Sequence, residues 1–261
     1  MTNSNGVRLS VDTTRLYQPF GALPWRQRVA VAGEILRAQV QILFSRKFAW
    51  FGGGILLYTV IVYIINYREP VIDRMTTSSV LSALLEVPLF GLAIFLNMQL
   101  IANEKDRRTL EGLFTVAGSR YKVWLIRFGT LNLVMLGFAL VLSLIGYFCF
   151  ADLPPVGMAL NGFVPACFIG SMTLYFSVRF RSAFAAGMVA VGVLLLISVM
   201  AEPLEESRYF AFFNPYNVPR SLDPETWQLW MWQNRLALLA LSAGLQFLAL
   251  RGLGNRERLL R

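Results

Sequence analysis

Residues 103–128 read NEKDRRTLEGLFTVAGSRYKVWLIRF, a dense charge cluster followed by a regular apolar stripe, set between two long apolar segments. After Glu104, Asp106, Arg107 and Arg108, the residues Leu110, Leu113, Phe114, Ala117 and Tyr121 recur at helical spacing, while Glu111 falls elsewhere on the wheel. The spacing predicts a short amphipathic helix. Gly118 is placed to end it and Ser119 to cap the next one, so the chain turns directly into another apolar helix. A loop that only joins two spans has no use for such a helix, whereas one that carries force to a cytosolic partner does. The plainer alternative is an interfacial helix lying on lipid.

The flanking segments set the fold class. Of 261 residues, 56% are hydrophobic and 15% charged, and mean hydropathy is +0.55. That is more apolar surface than one soluble core of this size carries. Runs near the ~20 apolar residues a crossing needs occupy about 48–66, 79–102, 123–149, 158–178, 183–201 and 235–251. The expectation is an all-α membrane protein of six transmembrane helices. Residues 1–47 form an N-terminal arm, 48–251 the membrane domain and 252–261 a basic tail. The arm shows no short apolar core followed by a small-residue cleavage site, so no removable signal peptide is expected.

Charge orients the spans, because basic loops are held in the cytoplasm. On the six-span layout, 19 of the 24 basic residues fall on one side, leaving Arg68, Arg74, Arg208, Arg220 and Arg235 among acidic residues on the other. Both termini are therefore expected in the cytoplasm. The net charge of +9 is explained by this topology and by anionic membrane lipids, with no nucleic acid required.

Outside the spans, Trp25–Lys47 places Val31, Ile35, Val40, Ile42 and Leu43 among arginines, as an amphipathic interfacial helix does. It reads equally as a membrane anchor and as a docking surface. Asp223, Pro224 and Glu225 form a strong helix start, predicting a short external helix that runs into the sixth span. Trp227, Trp230 and Trp232 are expected there as an aromatic interfacial belt.

Within the membrane, Glu86 and Asn97 of the second span are candidates for a substrate path. Glu86 lies about 12 Å into its helix, close enough to reach the outer headgroups, and that interfacial placement is slightly favoured over a role in the path. Small residues at four-residue spacing, Ala183 with Gly187 and Ala186 with Ala190, and Gly52–Gly54 in the first span, suit close helix packing. Cys149 and Cys167 lie in apolar runs without metal-ligand spacing. Histidine is absent, which removes the commonest general base and metal ligand. Neither a catalytic residue nor a bound metal is expected.

The 103–128 stretch resembles the signature of type-2 ABC transporter permeases. Glu104 matches an acidic residue at the end of the second span, Arg108-Thr109-Leu110-Glu111 the central motif, Leu113 and Phe114 the apolar turn, Ser119-Arg120 the loop, and Arg127 a lysine in the next helix. Ala117, Ile126 and Gly112 depart from the proline, glycine and leucine common in the family. The resemblance extends to six spans, an amphipathic N-terminal helix and a long external segment with FNP at 213–215.

It implies the transmembrane subunit of an ABC exporter in a bacterial inner membrane, pairing with a second permease subunit around a path lined largely by spans two and five. Residues 104–121 would then be the coupling helix docking on an ABC ATPase subunit, with Arg107 among its contacts. The chain carries no GxxxxGK[ST] loop, so ATP and Mg are expected on that partner and no cofactor on this chain. Two other readings stay open: an ion-gradient-driven secondary carrier using Glu86, and a non-transporting membrane scaffold for a cytosolic ATPase.

Overall fold

A computed structural model of the chain describes residues 24–26, 29, 33, 37, 46–70, 74–106, 120–180, 182–200, 204, 207–219 and 222–253. Met1–Ile42 and Leu43–Arg261 are separate compact units. In the first, Trp25, Arg26, Val29, Gly33 and Arg37 are helical; the rest of the amphipathic helix expected over 25–47 lies outside the described residues, apart from its last two.

The second unit is a helical bundle, with no strand among its described residues. Helix α1 spans Arg46–Arg68. A single turn, α2 (Thr77–Ser79), is capped by the Thr76 hydroxyl, which accepts from Ser79 N. It continues through a π-helical segment, Val80–Glu86, into α3 (Val87–Asp106). Then come α4 (Arg120–Cys149), α5 (Pro155–Arg179), α6 (Ala183–Val199) and α7 (Pro224–Leu253).

The π segment has a local cause. Pro88 has no N–H to give the Leu84 carbonyl, and its ring crowds that carbonyl in an ordinary α-turn. The chain instead takes the longer step just before it, with Val87 N donating to Ser82 O.

Helix α5 is the axis of the bundle, packed against α3, α4, α6 and α7. Its register with α7 is parallel and is pinned along most of its length: Asn161 meets Arg235, Ser171 accepts from Gln246 at 2.9 Å, and a Cβ at Gly252 would stand 2.9 Å from Val178. Against the second span it is also parallel, with Gly162 facing Leu85 and Leu89, and Gly170 facing Ala93 and Asn97. Against α4 it is antiparallel, with Ser143 Oγ donating to Pro155 O at 2.6 Å and Cys167 near Asn132.

Among the described residues, five helices are long and apolar enough to cross a membrane: Phe48–Arg68, Thr77–Leu100, Trp124–Cys149, Pro155–Arg179 and Pro224–Gly252. Ala183–Val199, expected as the fifth span over 183–201, is a shorter apolar helix of 17 residues. At 1.5 Å per residue it reaches about 26 Å, short of a ~30 Å hydrocarbon core.

The helix expected to start at Asp223–Pro224 and run into the sixth span does so without a break, because Pro224–Leu253 is one helix of 30 residues with no proline after its first position. One further expectation changes. Gly52–Gly54 do not mediate packing, since α1 lies at the edge and nothing stands within 4 Å of a Cβ placed on any of them. Ala186, Gly187 and Ala190 behave as expected: they are the buried residues of α6.

Candidate functional site

The most polar part of the described interior lies where α5, α7 and the π segment meet, beneath the irregular stretch 207–219. Arg235 stands about three turns into α7 and is only 5% exposed. Its Nε donates to Asn161 Oδ1 at 3.1 Å, Nη1 to Asn234 Oδ1 at 3.1 Å and Nη2 to the Phe213 carbonyl at 2.9 Å. The planar fork of arginine suits three acceptors in different directions. Asn161 lies one turn before Pro165, the proline inside α5. It also hydrogen-bonds the Tyr216 phenol.

Asn234 uses its amide nitrogen on the same overlying stretch, donating to Arg208 O at 3.0 Å and Phe210 O at 2.8 Å. Trp227 Nε1 donates to Pro215 O at 3.0 Å, and its ring lies 4.3 Å from Phe213. Asn214 Nδ2 reaches Ser78 O and Oγ at the start of the second span. Phe212 packs on Phe90 at 4.8 Å. Irregular backbone thus packs onto the bundle with the carbonyls of Arg208, Phe210, Phe213 and Pro215 met by side chains, as buried backbone acceptors require.

Glu86 closes the π segment and is 6% exposed. The Arg235 charge acts on it, yet its Oε1 has no hydrogen-bond partner among the described residues. Its side chain is thus buried among the helices. An orphaned carboxylate oxygen in such a place is costly to keep, which marks it as a functional candidate.

Asn97 is also buried, but it donates to Ala93 O at 2.8 Å and packs beside Gly170, the contacts of a helix-packing residue. Glu104 lies in the last turns of α3 and Arg120 opens α4. The other coupling-loop candidates, Arg107, Arg108, Thr109, Leu110, Glu111, Leu113, Phe114 and Ser119, lie outside the described residues. Arg127 of α4 sits over the Trp124 ring, 5.3 Å from its centroid.

The sequence reading missed Arg235, Asn161, Asn234 and Tyr216 as site residues, and it placed Trp227 in a headgroup belt. Trp227 is instead buried, while Trp232 is exposed. The available signal was the order of residues: an Asn-Arg pair lies beyond the tryptophans on the way into the membrane, and an intramembrane arginine is a functional candidate by default.

No protein-family model, curated protein or solved structure matches the chain.

Proposed function

We propose that this chain is the membrane subunit of an ATP-driven exporter, working as a pair and powered by a separate ATPase that docks on residues 104–121. One observation carries the reading: the Glu104–Arg127 sequence, with its acidic residue, Arg-Thr-Leu-Glu core and Ser-Arg turn, joins two apolar helices at one end of the bundle. In support, α3 runs on to Asp106 and α4 starts at Arg120, so the candidate contact surface continues directly from the ends of two spanning helices.

On this reading Ala183–Val199, at the lower limit of about 17 residues for a spanning helix, crosses by locally thinning the bilayer and completes six crossings, and both termini and the 104–121 loop face the cytoplasm of a bacterial inner membrane. Closure of the ATPase pair moves the two loops, and the packed helices switch as rigid bodies between inward and outward states. ATP and Mg belong to the partner.

The test is charge reversal at Arg108 and Glu111 in the intact complex. Copurification of an ATPase with the unaltered chain, and its loss or uncoupling in the Arg108→Glu/Glu111→Lys double variant, is the expected result. A correctly inserted chain that retains no ATPase partner contradicts the proposal. The buried Glu86 favours a second reading, an ion-driven carrier with that carboxylate as its cation or proton site, and this second outcome would support it.

A further inference from the structure

We propose that residues 207–219 form a strap that opens and closes over one mouth of the bundle, with Arg235 as its latch and Glu86 as the acceptor to which the latch transfers. Which side of the membrane the strap faces, and what energy drives it, rest on the exporter reading; the latch itself does not.

The strap has a shape of its own. Phe210 N donates to Ser207 O, Phe213 N to Phe210 O and Asn217 N to Asn214 O, so successive turns hold it together. Its polar attachments to the helices include bonds to its carbonyls from Trp227, Asn234 and Arg235, the Asn214 amide on Ser78, and the Tyr216 phenol on Asn161. Phe210 and Phe213 are buried beneath it and Phe212 packs on Phe90, so an internally bonded segment of this kind moves as a unit together with its aromatic side chains.

Arg235 is the fastening that reaches furthest. It joins the strap at Phe213 O, α5 at Asn161, and Asn234, which itself clamps two more strap carbonyls. Lifting the strap withdraws the Phe213 carbonyl and would leave a buried guanidinium N–H unmet. Glu86 Oε1, a buried acceptor without a donor, lies on the π segment whose Leu85 packs against Gly162, the neighbour of Asn161, and supplies the replacement. The closed state leaves the carboxylate oxygen unmet and gives the arginine to the strap; the open state gives it to the carboxylate. Two arrangements in which one donor exchanges acceptors make a bistable element.

The experiment reads strap opening directly, in the full chain and in open membrane fragments, where both faces are reachable. In a Cys149→Ser/Cys167→Ser background, Phe213→Cys reports the buried strap and Tyr209→Cys its exposed flank. Phe210→Cys is a second buried reporter should Phe213→Cys itself loosen the strap. The probe is a membrane-impermeant maleimide.

Glu86→Gln is expected to lower the labelling rate of the buried reporter about tenfold, as when a charge-assisted bond becomes a neutral one, and to have no such effect in the Arg235→Gln background, where the donor shared by the two states is gone. Tyr209→Cys should label equally in all backgrounds. The direction matters, because general loosening of the fold by Glu86→Gln would raise the rate. A rise with Glu86→Gln, or a fall that persists in the Arg235→Gln background, overturns the latch. Repeating the labelling in intact cells with and without ATP depletion separates the two proposals: a fall that requires Arg235 but has no ATP dependence keeps the latch and counts against the exporter.

Discussion

Asn161 and Arg235 meet at 3.1 Å across the parallel contact of α5 and α7, and this bond joins the central helix to the strap through one guanidinium. Replacing Arg235 with alanine leaves the Asn161 and Asn234 oxygens and the Phe213 carbonyl without their donor. Removal of one buried charge partner costs about 3–5 kcal/mol. Arg235→Lys keeps the charge but not the three-way fork, so its loss should be smaller. Thermal unfolding in detergent micelles should rank the chains wild type, Arg235→Lys, Arg235→Ala; equal midpoints for all three would remove the structural weight given to this residue.

Two glycines separate a rigid contact from a yielding one. A Cβ at Gly170 would stand 2.6 Å from Asn97 Nδ2, which is buried and bonded to Ala93 O; at Gly187 it would stand 2.7 Å from Met98 Sδ. The thioether can swing aside, whereas the amide must break its bond. Gly170→Ala should destabilise by about 1–3 kcal/mol, the usual range for overpacking, and Gly187→Ala by less. Equal losses in a denaturation series would show that Asn97 is as free to move as Met98.

The tryptophans near the start of α7 make a matched comparison. Trp227→Ala removes a buried ring from Phe213 and a donor from Pro215 O, with an expected cost of about 3–5 kcal/mol. Trp232→Ala removes an exposed ring and should leave stability nearly unchanged in detergent. If Trp232→Ala proved the more damaging there, the inward role of Trp227 would be wrong.

Burial pushes the Tyr216 phenol above its ordinary value of 10.0, against the opposing effects of the Asn161 hydrogen bond and the Arg235 charge. Below that ordinary value both folded and unfolded chains hold the proton, and the stabilising contribution is complete. As pH rises past it, the unfolded chain releases the proton first, and stability falls until the folded value is passed. Melting curves from about pH 8 to 11 should therefore fall less steeply at the alkaline end for Tyr216→Phe than for the parent. An unchanged slope would mean that the phenol titrates alike in both states.

Asp152 lies in the link between α4 and α5, at the same end of the bundle as the strap. With the native cysteines replaced by serine, Asp152→Cys should react with an impermeant reagent in intact cells, as should Tyr209→Cys. Labelling at position 209 without labelling at 152 would break the six-crossing topology and with it the cytoplasmic placement of residues 104–121.

The apolar runs made the bundle legible in the sequence, because a membrane helix must be apolar along nearly its whole length. The Asp223-Pro224 start was legible for a similarly local reason, and α7 begins there. Local pattern could not show which helix is central. Helix α5 earns that position through pairwise register with α3, α4 and α7, and its glycines read no differently from Gly52–Gly54 on the exposed edge. The polar site was partly hidden for the same reason: Asn161, Tyr216 and Arg235 are far apart along the chain, and only Glu86 was conspicuous by itself.

The π-helical turn before Pro88 also fixes rotational phase. Each residue of an α-helix advances the chain by about 100°, and the π turn spreads one extra residue over nearly the same arc, so letting Val80–Glu86 relax to α-geometry with every residue kept would swing Ser78 by about that angle relative to α3. Asn214 would then face a different side of the helix. The spacing of this segment acts as a mechanical key cut for the strap, and Pro88→Ala, which removes the cause of the wide turn and keeps the apolar run intact, should unseat it.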